Sequence, residues 1–274
     1  MKIIFNQNCI EEEDLFVNYT KKNYFSGDFV AGFCWFFQNK FLFWEDVYFQ
    51  LMASLRKMRI KIPLSYTPEM FESQLRLLSD EMHISEGRIK ITVFRDPEQD
   101  TSFIIEFLPH QNFLSDTENE IDIYKEILIY PNLLSSISVF HPIDTVALQY
   151  VRENDLQEVI LLNHEKRIAR SISGNIFLIQ DNNIYSNPAS EGALISVLKK
   201  NFISFLREKT DFIYREENIS PFLTQSADEL FILSDEKGIL PVTKNRKTIF
   251  KKNIIPSLTK KFIGYALDRN KSIQ

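Results

Sequence analysis

The chain has 274 residues, 44% hydrophobic and 25% charged, with a formal net charge of −5, 24 Phe and only seven Gly. Its length suits one large or two ordinary domains, and its apolar fraction is enough for a sizeable core, which excludes disorder on the scale of the chain. Glycine is roughly 7% of an average globular protein, and neither a G-x-G-x-x-G turn nor a G-x-x-x-x-G-K-[ST] loop can be written from Gly27, Gly32, Gly87, Gly174, Gly192, Gly238 and Gly264. A dinucleotide fold and a P-loop NTPase are therefore not expected, and the negative charge balance argues against a nucleic-acid partner.

The start, Met1 to Ile10, has three consecutive apolar residues and no signal-peptide core, and the longest apolar run, Phe29 to Phe37, is half a membrane span. Two cysteines, Cys9 and Cys34, form neither a C-x-x-C motif nor a zinc set, which suits inert thiols in a reducing compartment. A soluble, cytoplasmic chain with no membrane partner is the expectation. The histidines, His83, His110, His141 and His164, have no ligand spacing, so no metal site is expected.

Taken in order, Glu45 to Met58 carries Val47, Leu51, Leu55 and Met58 on one helical face. A second helix opens with Thr67 as N-cap and Pro68 at its first position, then repeats Phe71, Leu75, Leu78 and Met82. Arg88 to Arg95 alternates Ile89, Ile91 and Val93 with Arg88, Lys90 and Thr92, the pattern of a half-buried strand. Ser102 to Leu108 and Ile121 to Tyr130 read as further strands, joined through the acidic loop Ser115 to Glu120. A domain hinge is expected at Pro131 to Ser136, dividing the chain into a small α+β domain, 1–130, and a larger one, 131–274. The second half reads as a helix capped by Asp144, strands at Glu158 to Leu162 and Asn175 to Gln180, a helix opened by Ser190-Glu191-Gly192, and a strand at Glu229 to Leu233. The basic tail Lys244 to Lys271 interleaves Leu258, Phe262, Ile263 and Ala266 at helical spacing, the mark of a solvated helix face more than a binding patch.

In order and spacing, Leu161-Leu162-Asn163, the run Ser173 to Ile179, Ile184-Tyr185, Ser190-Glu191-Gly192, the run Ala227 to Phe231 and the run Gly238 to Val242 resemble the class IV, or fold-type IV, pyridoxal phosphate enzymes. These are the branched-chain and D-amino acid aminotransferases and 4-amino-4-deoxychorismate lyase. The first half resembles them more weakly, through Gly27-Asp28, the helix after Trp44-Glu45-Asp46, and Ile60-Lys61-Ile62-Pro63. The resemblance implies a two-domain α+β fold-type IV architecture, pyridoxal 5'-phosphate as the family's cofactor, and a homodimer whose sites lie at the two-fold interface.

It also implies four chemical requirements, and each falls on an altered residue. The lysine that forms a Schiff base with the cofactor falls within a residue or two of Ile137, and no lysine lies between Lys125 and Lys166. The carboxylate that keeps the pyridine nitrogen protonated falls on Arg170, whose charge opposes a pyridinium. In the phosphate clamp the family's Arg falls on Gln50 and its His on Val47, while the Ser or Thr before Gly238 falls on Asp235, a negative charge where a dianion should bind. A helix start near Val197 and Leu198 could still offer N–H groups, with Lys199 where Arg is usual and Ser196 replacing a Gly. The substrate-side Tyr falls on Ser26.

Two readings follow. In one, the scaffold has lost cofactor chemistry and serves a structural, regulatory or binding role, with no catalytic residue and no bound cofactor. In the other, the chain is a divergent active lyase or aminotransferase using Lys125, Lys166 or Lys199 as base. A small anionic ligand in an interdomain cleft, paired with Arg170 and Lys199, is a third possibility, unless those cations are satisfied by Asp235 or Glu191.

Overall fold

The computed structural model describes residues 1–18, 27–96 and 100–269; Ser26 and Lys271 lie outside them. Two compact units emerge, the first holding Met1–Gln111 and Ser138–Phe140 and the second Asn112–Ile137 and His141–Asp268. The second unit thus begins well before Pro131. Strand β7 (Asn119–Ile129), expected to close the first domain, pairs in parallel with β8 (Glu158–Asn163) and β14 (Gly238–Asn245). The Pro-Asn-Leu-Leu-Ser-Ser stretch is a turn inside the second unit, held by Asn132 Oδ1, which accepts from the Leu134 and Ser135 N–H groups at 2.8 and 3.1 Å. Turn chemistry marked the bend there without marking a domain boundary.

The first unit is built on an antiparallel sheet in the order β2-β1-β6-β5-β3-β4, from β1 (Lys2–Phe5), β2 (Asn8–Glu11), β3 (Phe29–Phe37), β4 (Lys40–Phe41), β5 (Gly87–Asp96) and β6 (Asp100–Phe107). The long apolar run is β3, in register with β5 from Phe29 opposite Phe94 to Phe36 opposite Gly87. Helix α1 (Glu12–Asn18) follows β2, α2 (Trp44–Lys57) packs on β3, and α3 (Pro68–Met82) packs on β1 and β6. Helix α3 starts as its sequence dictates: Thr67 Oγ1 accepts from the Met70 N–H at 3.2 Å and Pro68 takes the first turn, a cap of about 1 kcal/mol. Its apolar stripe, Phe71, Leu75 and Leu78, is fully buried.

The second unit carries a sheet in the order β12-β11-β10-β13-β14-β7-β8-β9, with β15 beside β14. The further strands are β9 (Ile168–Ser171), β10 (Asn175–Gln180), β11 (Asn183–Ser186), β12 (Ile213–Glu216), β13 (Glu229–Ser234) and β15 (Thr248–Ile249), and the helices are α4 (Pro142–Glu153), α5 (Val197–Lys209) and α6 (Ile255–Arg269). Pleating turns Ile176, Leu178, Leu230 and Ile232 into one apolar layer with Ile160, Leu162 and Val242. Phe177 and Phe231 point the other way and stack at 5.1 Å; Phe202 of α5 meets both edge-on, and Phe262 of α6 meets Phe202 edge-on at 5.2 Å. The phenylalanine-rich composition is thus spent partly on an aromatic layer, each such pair adding about 0.5–1.5 kcal/mol beyond its buried area.

Two helix starts differ from the sequence reading. Helix α4 begins at Pro142, with His141 rather than Asp144 at the N-cap position, because Asp144 is drawn into an ion pair with Arg170. Helix α5 begins at Val197, and Ser190-Glu191-Gly192 instead completes a 3-10 turn closed by Gly192 in the left-handed region. Helix α6 is capped from a distance: the Glu229 carboxylate at the head of β13 accepts the N–H groups of Asn253, Ile254 and Ile255 at 2.6, 2.8 and 3.0 Å. Lys260 and Lys261 face solvent while Leu258, Phe262 and Ala266 are buried. No helix among the described residues is long and apolar enough to cross a membrane.

Candidate functional site

The second unit gathers most of the positions singled out in the sequence. At the head of α5, Ser196 adopts an extended conformation and its Oγ accepts from the Lys199 N–H at 3.0 Å. The same hydroxyl donates to Asp235 Oδ1 at 2.6 Å. Asp235 Oδ1 also accepts the Leu198 N–H at 2.8 Å, and Oδ2 accepts the Val197 N–H at 3.0 Å. The amides of Val197, Leu198 and Lys199, the first three of the helix, are therefore all satisfied, two by one carboxylate. Asp235 is presented by the turn between β13 and β14, where Ser234 Oγ donates to the Ser173 carbonyl at 2.7 Å and accepts the Lys237 N–H at 3.0 Å.

Lys199 turns away from this carboxylate. Its Nζ donates to the Asn187 carbonyl at 2.5 Å and lies 3.5 Å from Glu216 Oε1. Burial lowers its affinity for a proton, with Glu216 acting in the opposite sense. Asn187 is itself fully buried, its amide nitrogen bonded to the Ile168 and Ala169 carbonyls. The other two lysines considered as bases, Lys125 and Lys166, are exposed.

Arg170 lies on β9 with its side chain 2% exposed. The guanidinium donates to the Ser171 and Ile172 carbonyls at 2.9 and 3.0 Å and to Asp144 Oδ1 at 2.6 Å. Burial raises the Asp144 carboxyl above its ordinary value and Arg170 pulls it back; burial, then the Arg170 charge, hold the His141 imidazole below the usual range. Nearby, Glu158 is buried and accepts Lys237 Nζ at 3.0 Å and the Ile172 N–H at 3.2 Å. Glu191 is likewise taken, by Arg167 at 2.5 and 2.8 Å and by Asn163 at 2.8 Å. Arg170 and Lys199 thus find Asp144 and Glu216 as counter-ions, neither of them the Asp235 or Glu191 considered from sequence.

Ile137 is 2% exposed, an apolar side chain in a buried position flanked by Ser135 and Ser136, also buried. Its carbonyl faces His141 Nε2 at 3.1 Å. Gln50 and Val47 lie on α2 in the first unit, Val47 buried and Gln50 partly exposed. No group of three or more metal-binding side chains converges among the described residues. Cys34 is buried, which pushes its thiol far above the ordinary range and leaves it unreactive.

His141 gives this region a pH signature. An imidazole whose folded pKa lies below its unfolded value near 6.5 binds more protons when unfolded, so the stability it contributes is present above 6.5 and lost as pH falls through the folded value. Asp144, shifted upward, acts in the opposite sense from 3.8 upward, its contribution being lost as pH rises. Urea unfolding at about pH 7.5 and about pH 5.5 should show a drop in stability toward the acid side that His141→Asn reduces. Identical slopes in the two proteins would remove the assignment.

The sequence profile of the amino-transferase class IV family matches residues 33–244, and the chain belongs to this family. It is 22% identical over 256 residues to a D-alanine aminotransferase of Listeria monocytogenes, covering 89% of this chain and 87% of that protein. Its fold superposes on the Escherichia coli branched-chain amino acid aminotransferase with a TM-score of 0.84 at 18% identity, over 96% of this chain and 93% of that one. A Legionella pneumophila protein described as a candidate 4-amino-4-deoxychorismate lyase gives a TM-score of 0.79 at 17% identity, over 90% and 94% of the two chains. The α+β fold-type IV architecture is that of these structures.

Proposed function

We propose that this chain keeps the class IV aminotransferase scaffold without its pyridoxal phosphate chemistry, and works by binding or by structural association. The observation that carries this reading is Ile137. A buried aliphatic side chain stands at the counted position of the Schiff-base lysine, and no lysine occurs from residue 126 to residue 165. The remaining residues fit the cofactor poorly. The carboxylate that would sustain a pyridinium is replaced by Arg170, already committed to Asp144, and the N–H groups at the head of α5 are committed to Asp235.

One observation favours the rival reading of a divergent lyase or aminotransferase. Lys199 is a buried amine with a lowered proton affinity, a property that nucleophilic lysines share. Against it stand the Asn187 carbonyl and Glu216, which hold the amine as a donor.

Mixing the purified protein with pyridoxal 5'-phosphate, reducing with borohydride and mapping the adduct by peptide mass separates the two. The expected result is no visible aldimine band and no mass increment confined to one lysine. A stoichiometric adduct on a single lysine, with turnover of an amino acid or aminodeoxychorismate, would overturn the reading, and an adduct on Lys199 would name the base.

A further inference from the structure

We infer that the head of α5 is an anion seat closed from within, with the Asp235 carboxylate as its permanent occupant. This inference deepens the reading above and rests on it. Three donors from consecutive residues converge on one carboxylate: the Ser196 hydroxyl, the Val197 N–H and the Leu198 N–H, at 2.6 to 3.0 Å. Backbone N–H groups at a helix start, with a hydroxyl beside them, are the donor set that a phosphate monoester also uses. A carboxylate offers the same negative oxygen acceptors, but it is tethered to the chain, so its effective concentration does not depend on any solute.

The turn that delivers Asp235 is fixed on both sides. Ser234 Oγ is bonded to the Ser173 carbonyl and the Lys237 N–H, and Gly238 follows with φ +73°. The carboxylate is therefore held against the helix by a rigid turn rather than swung there by a loose loop. A phosphate ester arriving at these N–H groups would meet a resident anion already using them. Two anions cannot share the donors, and their like charges repel in a site partly shielded from water. In the native chain the seat accordingly takes no phosphate, free or esterified. Replacing Asp235 by a short hydroxyl residue removes the competing charge, leaves the N–H groups unsatisfied and opens the seat.

Inorganic phosphate tests this directly, because it has no aldehyde and reports on the seat alone. Calorimetric titration of native protein should show no saturable phosphate binding, and the amide resonances of Val197 and Leu198 should not move with phosphate. Asp235→Ser and Asp235→Thr should bind phosphate at least about tenfold more tightly than native protein and gain Tm with added phosphate. Pyridoxal 5'-phosphate should compete with phosphate in these variants and pyridoxal should not. If the variants are poorly folded alone, phosphate should restore their helical signal, since an anion bound only to the folded state stabilises it.

Saturable phosphate binding at Val197 and Leu198 in native protein would overturn the inference. So would folded variants that bind no phosphate, or poorly folded ones that phosphate fails to rescue. Each of these three results leaves the borohydride experiment untouched, whereas a lysine adduct on native protein without phosphate binding at α5 would overturn only the reading of lost catalysis.

Discussion

Replacing Arg170 with Met should lower the unfolding free energy by about 3 kcal/mol, measured by urea or guanidinium denaturation at neutral pH. The guanidinium is the group that makes the surrounding polar atoms tolerable. With it gone, the Asp144 carboxylate, whose side chain is 24% exposed, loses a partner at 2.6 Å, and the Ser171 and Ile172 carbonyls each lose a donor. An unpaired anion in a low-dielectric setting costs more than the pair contributed when intact. Restoring the family's carboxylate, Arg170→Glu, should be worse, since it would place a third acid near Asp144 and Glu158 in the absence of the cation. A compensating change distinguishes this cause from simple loss of packing. The double variant Arg170→Met with Asp144→Leu should recover most of the loss, because removing both charges removes the desolvation problem along with the attraction. A single variant within about 1 kcal/mol of native protein, or a double variant as unstable as the single one, would show that the pair is not what holds β9 to α4.

Gly238→Ala should be at least as damaging, at about 4 kcal/mol. Gly238 has φ +73°, and a Cβ placed there would lie 2.2 Å from the Phe113 carbonyl oxygen. That carbonyl cannot withdraw cheaply, because it accepts the Ile239 N–H at 2.7 Å while the Ser115 N–H binds back to the Ile239 carbonyl at 2.8 Å. The substitution therefore combines an unfavourable backbone region with a clash against backbone. Gly264→Ala is the matched control. Among the described residues, no atom outside its own turn of helix lies within 4 Å of the Cβ it would add, and in the middle of α6 the exchange should be neutral or stabilising by up to about 1 kcal/mol. If the two alanine variants melt together, the close approach of Phe113 does not constrain the β13–β14 turn.

The sequence was informative where one residue acts on its near neighbours. Thr67-Pro68 announced the start of α3, the alternation of Ile89, Ile91 and Val93 announced β5, and the spacing of Leu258, Phe262 and Ala266 announced the buried face of α6. It was less informative where a side chain answers to a distant partner. Asp144 has the chemistry of a cap and stands near a helix start, yet Arg170, 26 positions on, claims it. Ser190-Glu191-Gly192 does not open a helix as expected; Glu191 is held by Arg167 and Asn163 in the 3-10 turn that Gly192 closes. Ser196, three residues before Lys199, is the N-cap of α5, although the family resemblance marks its position only as a replaced glycine. Asn187, which holds the Lys199 amine through its carbonyl, gave no local sign at all. A backbone acceptor has no identity in a sequence, so only the fold could place it.

Strand β13 carries a carboxylate at each end, Glu229 at its head and Asp235 one residue past its tail. Each reaches out to the opening amides of a different helix, Glu229 to α6 and Asp235 to α5. Six residues of central strand therefore act as a tie-rod between two helices far apart in the chain. Loosening one end slackens the other, so the opening turns of α5 and α6 should exchange their amide hydrogens as one cooperative unit with β13 rather than fray independently. Cooperativity of this kind comes from a strand most of whose side chains are ordinary apolar core, and from two acids that sit just where the sheet ends.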